Sequence, residues 1–308
     1  MEENRLDDNL LPRENKFERN SLGVQLLILF ALTLGFFIAS QILAAIIMFA
    51  FYDMDVLDLH KVVDAHKSLN PLRVAQMLAT VLGFGAPALI FSKLKTGSFT
   101  KFSTIENKFP ALLLVIVPFL VITAYPLINV SYFINQHSII SDWLKSTQEQ
   151  YAFLTTALMS GTTVSLLIIN LFTIAIFPAI AEEWLFRGTL QPLLQKQINV
   201  HAAILITAFT FSLIHVEFSA FLPRICLGIL LGYICYYSGS LWVSIWAHMF
   251  NNGMEVVANY LKNTGRITAD LGNPTLPSAG ETLLYTAVFA VLAYGFYFLS
   301  RKKFDTFA

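Results

Sequence analysis

The sequence predicts an all-α protein, a polytopic membrane helical bundle of about eight transmembrane helices. Composition is the first reason: hydrophobic residues make up 56% of the 308 positions and charged residues only 13%, whereas a soluble domain usually carries about 25% charged residues. A water-soluble fold of this length cannot hide so much apolar surface. The second reason is that the apolar residues gather into uncharged stretches of about 20 residues, the length that a spanning helix needs.

These uncharged stretches define the helices in order along the chain. A polar leader precedes the first stretch, which is too long for a secretory signal peptide and is predicted to be a retained helix. Further on, the region from Ile225 to Met254 contains no Asp, Glu, Lys or Arg, and a Tyr-Ser-Gly-Ser turn at 237–240 divides it into two helices. The predicted spans are roughly 22–52, 72–92, 110–134, 161–186, 199–216, 219–237, 240–260 and 282–300.

Charge predicts the orientation of the chain. Basic residues concentrate in cytoplasmic loops, and with the N-terminus inside, 13 of the 20 lysines and arginines fall on the cytoplasmic side. We therefore expect both termini to be cytoplasmic, residues 1–20 to form a polar cytoplasmic tail, and the plasma membrane to be the location. The apolar spans make the lipid bilayer an expected partner. Because the 20 basic residues are balanced by 20 acidic ones, nucleic acid is not expected. The connections at about 53–70 and 135–160 are predicted to be polar and partly helical.

Three charged residues lie near the end of predicted helix four. Because charge within an apolar helix is costly, such residues are candidates for function. In a helix Glu183 and Arg187 share a face, four residues apart and in the order that favours an ion pair. Glu182 points about 100° away, which predicts one structural carboxylate and one free for proton transfer. The alternative is that all three form a single ion cluster that only holds helices together.

Two histidines lie within or beside predicted membrane helices. Phe211 precedes His215 by one turn, so its ring can pack against the imidazole. His248 and Asn252, four residues apart, share a face, and Asn251 competes with Asn252 for that role. A hydrogen-bonded core histidine and a polar contact between helices are the alternatives.

The expected depths of these residues in the membrane indicate which of them lie close together. Predicted helices four and five form an antiparallel hairpin that turns near 196–200, which places Glu182 and His215 at a similar depth. Counting from the helix start matches His248 less well. A carboxylate beside an imidazole in a dry site is suited to activating water, and a second histidine with an asparagine can stabilise an oxyanion.

The patterns Glu182-Glu183-x-x-x-Arg187, Phe211-x-x-x-His215 and His248-x-x-x-Asn252 follow in this order on separate apolar helices. They resemble the three motifs of the CPBP intramembrane peptidases (CAAX proteases and bacteriocin-processing proteins, also called the Abi family), which include the type II CAAX prenyl endopeptidases. The resemblance is close over about 180–255, and the first four helices match only as generic spans.

The resemblance implies a role for each residue. Glu182 is implied to be the catalytic glutamate, and His215 its partner in activating water. His248 and Asn252 are implied to stabilise the oxyanion, with Glu183, Arg187 and Phe211 orienting the site. In the prenyl endopeptidases the reaction removes the C-terminal tripeptide of a prenylated protein, at a site that opens towards the cytosol. We thus expect a single transmembrane peptidase domain over 21–303, with its catalytic motifs in about 178–255.

The predicted function is an intramembrane endopeptidase acting on a membrane-associated peptide or a lipidated protein. One glutamate and two histidines can hold a divalent metal such as zinc with a position open for water; the ligands would be Glu182, His215 and His248. A glutamate mechanism without metal fits the same residues, and we favour it. Two other functions are a non-catalytic scaffold or bacteriocin self-immunity protein, and a transporter with a proton relay. The sequence lacks the two related halves that transporters often show.

Overall fold

The computed structural model describes residues 17, 20–52, 68–105, 107–137, 153, 155–215, 217–268 and 275–301. Across these residues the regular secondary structure is helical, which confirms the predicted all-α class. The predicted polar tail and the polar connections at 53–70 and 135–160 lie mostly outside the described residues. The long helices are α1 (Leu22–Tyr52), α2 (Asn70–Thr96), α3 (Leu112–Gln136), α4 (Val164–Gln195), α5 (Val200–Ile214), α6 (Phe221–Ser238), α7 (Leu241–Asn263) and α8 (Ala279–Arg301).

Six of these helices, α1 to α4, α6 and α8, are long and apolar enough to cross a membrane. α5 is apolar but has only 15 residues, a length of about 22 Å against a hydrocarbon layer of about 30 Å. α7 is long enough, but after Phe250 it carries Asn251, Asn252, Glu255 and Asn259. The membrane bundle is therefore confirmed, while the count of eight spans stays a prediction.

α4 is longer than predicted, because it continues past 186 to Gln195. The predicted end lay directly before Arg187, the first basic residue of this segment. In the structure Glu183 neutralises that charge inside the bundle, where Arg187 is 2% exposed. A paired arginine does not have to reach water, so the helix continues for two more turns.

The bundle has a terminal face, defined as the end where α1 begins and α8 ends. Polar contacts tie the helix ends together there. Lys95 at the end of α2 donates from Nζ to Gln25 Oε1 at 2.5 Å. Asn107, before α3, donates to the carbonyl oxygen of Gly239 between α6 and α7 at 2.7 Å.

The opposite face is the other end of the bundle. Asn135 at the end of α3 donates to the carbonyl oxygen of Phe218, in the connection between α5 and α6, at 2.7 Å. Asn263 at the end of α7 donates to the carbonyl oxygen of Met159, shortly before α4, at 3.0 Å. These contacts place the α5–α6 connection at the end of the bundle opposite the terminal face.

Glycine permits the close approach of α5 and α6. A Cβ atom added at Gly228 would lie 2.9 Å from Ala208 Cβ and 3.1 Å from Ala208 Cα. Contacts this short require the helices to move apart. The same glycine presents its carbonyl oxygen to Arg187 Nη2 at 2.9 Å, so the close packing also serves the buried charge.

We expect Gly228→Ala to lower stability by about 1–3 kcal/mol, because the added methyl group overpacks the α5–α6 contact. Thermal unfolding of the purified protein in detergent measures the effect. Gly295→Ala in α8 is the matched control, since its new Cβ atom meets no atom within 4 Å. Equal behaviour of the two variants would contradict the packing argument.

Candidate active site

The carboxylate of Glu183 is fully engaged inside the bundle. Its Oε1 atom accepts hydrogen bonds from Arg187 Nη1 at 2.5 Å and His248 Nδ1 at 2.9 Å, and its Oε2 atom accepts from Ser244 Oγ at 2.5 Å. The side chains of Glu183 and Arg187 are both 0% exposed. A buried charge is tolerated when it is paired and its remaining atoms are hydrogen-bonded. Glu183 therefore joins α4 to α7 and has no free oxygen atom for chemistry.

Glu182 faces a different set of side chains. Its Oε2 atom lies 3.8 Å from His215 Nε2 and 3.8 Å from His248 Nε2. The predicted hairpin thus brings Glu182 and His215 together, and His248 joins them from α7. The alternative of one ion cluster shared by Glu182, Glu183 and Arg187 does not describe this arrangement, because Arg187 pairs with Glu183, and His248 presents Nδ1 to Glu183 and Nε2 to Glu182.

The second nitrogen of each histidine fixes its orientation. His215 Nδ1 lies 2.7 Å from the carbonyl oxygen of Phe211, and because a carbonyl oxygen only accepts, Nδ1 carries the hydrogen. His248 Nδ1 lies 2.9 Å from the carboxylate of Glu183, which likewise makes Nδ1 the donor. In the neutral rings both Nε2 atoms are therefore acceptors, and both are directed at Glu182.

The ring of Phe211 packs against both imidazoles. Its centroid lies 4.9 Å from that of His215, the contact that the sequence predicted, and 5.8 Å from that of His248. The guanidinium carbon of Arg187 lies 4.8 Å from the same ring centroid. An aromatic ring between a cation and two imidazoles excludes water and restricts the rotamers of all three.

The depth of His248 follows from where α7 begins. A Cβ atom added at Gly188 would lie 3.0 Å from Leu241 Cδ2, so the first residue of α7 is level with Gly188. That level is about two turns before the end of α4 at Gln195. Counting residues from the helix ends gave the wrong depth for His248. The reason is that the start of α7 lies deeper in the bundle than the end of α4.

Asn252 contacts a carbonyl group that a proline leaves free. Pro178 has no N–H group, so the carbonyl of Ile174 lacks its usual helical donor. Asn252 Nδ2 donates to this oxygen at 3.3 Å, and Asn252 Oδ1 accepts from Asn251 Nδ2 at 3.1 Å. Ile174 lies in a π-helical segment, Leu171–Ile176, a distortion that is frequent at functional sites. Asn251 thus contacts Asn252 rather than replacing it.

The part of the chain that carries these contacts is similar to a known protein family. Residues 164–254 match the family model described as type II CAAX prenyl endopeptidase Rce1-like. The match confirms the resemblance drawn from the three motifs. It covers under a third of the 308 residues. No curated protein and no solved structure matched the chain. At the level of the family, the match supports a CAAX-type intramembrane protease, a peptide hydrolase.

The predicted metal ligands can be tested against this geometry. Among the described residues, no group of three or more His, Cys, Asp or Glu side chains is arranged to hold a metal ion. The two separations of 3.8 Å from Glu182 Oε2 exceed the roughly 3.3 Å between ligand atoms around a tetrahedral zinc with bonds of about 2.0–2.1 Å. As arranged, Glu182, His215 and His248 do not fit a metal, and no step proposed below passes through one.

Sequence reasoning missed two features of the site. Ser244 is the hydroxyl donor to Glu183, and its position one turn before His248, on the same face, was an available signal. Arg224 lies close enough for its charge to act on both Glu182 and His215, and it donates from Nη2 to Glu217 Oε2 at 2.5 Å. No spacing along the chain relates Arg224 to Glu182, because α6 and α4 meet only in the folded bundle.

The two adjacent glutamates should differ in their effect on stability. We expect Glu183→Gln to destabilise the protein by about 3–5 kcal/mol, because it leaves the buried guanidinium of Arg187 without its counter-charge. Glu182→Gln should change stability far less, since Glu182 is not paired with that charge. Thermal unfolding of both variants in detergent checks this, and an equal loss in the two would contradict the separation of roles.

Proposed function

We propose that this protein is an intramembrane endopeptidase in which Glu182 activates a water molecule for attack on a peptide carbonyl. The observation that carries the proposal is the convergence of Glu182 Oε2 with the Nε2 atoms of His215 and His248, at 3.8 Å each. The family match to type II CAAX prenyl endopeptidases supports the reaction class. The substrate class that we propose is a membrane-associated peptide or a lipidated protein.

One water molecule fits between the carboxylate and an imidazole. Two hydrogen bonds of about 2.8 Å spanning 3.8 Å meet at roughly 85°, a strained but accessible angle. The water would donate one hydrogen to Glu182 and the other to His215 Nε2. The oxygen then keeps a lone pair for the substrate carbonyl, which is the geometry that general base catalysis needs.

The two histidines are suited to different steps, because their Nδ1 partners differ. His215 donates to a neutral carbonyl oxygen, which fixes the ring for accepting from water. His248 donates to the Glu183 carboxylate, which can stabilise positive charge on the ring when Nε2 takes a proton. His248 takes this proton from solvent before the peptide binds and keeps it through the cycle, so that Nε2 donates to the oxyanion. The Glu183 carboxylate stabilises the imidazolium, as the aspartate does in a Ser-His-Asp triad.

Glu182 carries the transferred proton between the two steps of the reaction. The carboxylate takes a proton from water as the new C–O bond forms, and it returns that proton to the leaving nitrogen as the C–N bond breaks. Asn252 has its amide one turn beyond His248 and only a long hydrogen bond of 3.3 Å to Ile174. We propose that this amide turns to the oxyanion when substrate binds.

Removing the base should abolish most of the activity. We expect Glu182→Gln and His215→Ala each to lower the cleavage rate of a membrane-anchored peptide by about 10²–10⁴-fold, because proton transfer in the transition state is lost. Purified protein in detergent and a peptide with a fluorescent reporter give the measurement. Lys262→Ala at the end of α7 is the control with unchanged activity. Full activity in both site variants would overturn the assignment.

Metal dependence separates the two mechanisms that fit the sequence. We expect a strong chelator to leave cleavage unchanged and elemental analysis of the purified protein to find less than one divalent metal per ten chains. Loss of activity on chelation, restored by added zinc, would show that Glu182, His215 and His248 rearrange into a metal site.

A further inference from the structure

The three groups that converge at the site are held to different degrees. The side chain of His248 is 3% exposed, that of Glu182 9% and that of His215 25%. His248 donates to the buried carboxylate of Glu183, whereas His215 donates to the carbonyl oxygen of Phe211 in its own helix. His215 is therefore the most open of the three, and its Nδ1 atom bonds to a neutral group.

His215 also lies where its helix ends. α5 runs from Val200 to Ile214, and His215 is the residue that caps it. The ends of helices open more easily than their interiors, because the last carbonyl groups lack partners within the helix. The position of the imidazole therefore depends on how the chain beyond it is held.

Arg224 of α6 holds the chain two residues beyond His215. Its Nη2 atom donates to Glu217 Oε2 at 2.5 Å, and its Nη1 atom donates to the main-chain carbonyl oxygen of Glu217 at 3.2 Å. Ser219 Oγ donates to the other carboxylate oxygen, Oε1, at 3.0 Å. One guanidinium thus binds both the side chain and the backbone of Glu217, a two-point contact that suits the planar fork of arginine.

The rest of the connection between α5 and α6 is anchored to α3. Asn135 Nδ2 donates to the carbonyl oxygens of Phe218 at 2.7 Å and Ser219 at 2.9 Å. These contacts begin one residue further along the chain than Glu217. Among the described residues that follow His215, the pair of Glu217 with Arg224 is therefore the side-chain contact nearest to it in sequence.

The guanidinium of Arg224 is also close to the reactive groups. Its charge acts on both Glu182 and His215. The side chains of Arg224 and Glu217 are 15% and 27% exposed. An ion pair that is partly exposed to solvent contributes little to stability. Its loss should therefore disturb the neighbouring site more than it disturbs the fold.

We propose that Arg224 is a positioning residue, which acts through Glu217 to hold His215 in register with Glu182. The inference rests on the proposed endopeptidase function, in which one water molecule bridges Glu182 Oε2 and His215 Nε2, atoms that lie 3.8 Å apart. A displacement of the imidazole by about 1 Å breaks that bridge, and misplacement on this scale can cost about 10²-fold in rate. Arg224 acts without contacting the peptide.

Kinetics of the ion-pair variants test this role. We expect Arg224→Met to lower kcat for a membrane-anchored peptide by about 10–100-fold and to change KM by less than about twofold, because the chemical step is affected and binding is not. Rates are expressed per folded protein, as measured by size-exclusion chromatography. Arg266→Met, which removes an exposed cation just beyond α7, is the matched control and should keep the native rate.

Reversing the pair separates positioning from the mere presence of an arginine. The double variant Arg224→Glu with Glu217→Arg can form the ion pair again, so we expect it to recover most of the kcat that Arg224→Met loses. A reversed pair no more active than Arg224→Met would overturn the positioning role. So would an Arg224→Met variant that keeps the native kcat.

A measurement on the ring itself does not require catalysis. With isotope-labelled histidine, a long-range proton–nitrogen correlation spectrum shows which ring nitrogen carries the hydrogen, and His215→Ala identifies the signals of His215. At a pH where the ring is neutral, we expect the Nδ1–H form in the native protein. In Arg224→Met we expect averaging between the two tautomers, because the chain beyond the ring is released. Unchanged His215 signals in that variant would contradict the proposal.

The positioning role and the proposed function fail in different ways. If Glu182→Gln cleaves at the native rate, the endopeptidase function fails, and the spectrum of His215 still tests the positioning role. If Glu182→Gln is inactive while Arg224→Met is fully active, the positioning role alone fails.

Discussion

The buried carboxylate of Glu183 is the interaction on which the site depends. It accepts from an arginine on its own helix and from Ser244 and His248 on α7. A charge in a low-dielectric interior is stable only when such partners surround it. Their geometry therefore fixes the rotation of α7 against α4. That rotation also points His248 Nε2 at Glu182, so one structural requirement brings these two side chains together.

The shape of α4 is the second constraint. Pro178 removes one backbone hydrogen bond, and π-helical segments at Leu171–Ile176 and Phe186–Leu190 flank the turn that carries both glutamates. The distortion leaves the Ile174 carbonyl for Asn252. A residue with a backbone N–H group at 178 would satisfy that carbonyl internally. The local weakness of α4 thus provides a contact that joins it to α7 beyond the buried charge.

The two ends of the bundle differ in polarity on either side of Glu182. On the terminal side, apolar side chains of α4, α6 and α7 pack together. On the opposite side, the short α5 ends beside His215, and the second half of α7 carries polar residues.

The sequence by itself determined the helical membrane class, the approximate helix bounds and the separation of Glu182 from Glu183, because apolar runs and a 3.6-residue period are local properties. It also determined the contact of Phe211 with His215, one turn away. Only the tertiary structure decided the depth of His248 and the contacts of Ser244 and Arg224. These depend on where α7 begins against Gly188 and on how α6 approaches α4, and no spacing within one helix encodes a distance between two.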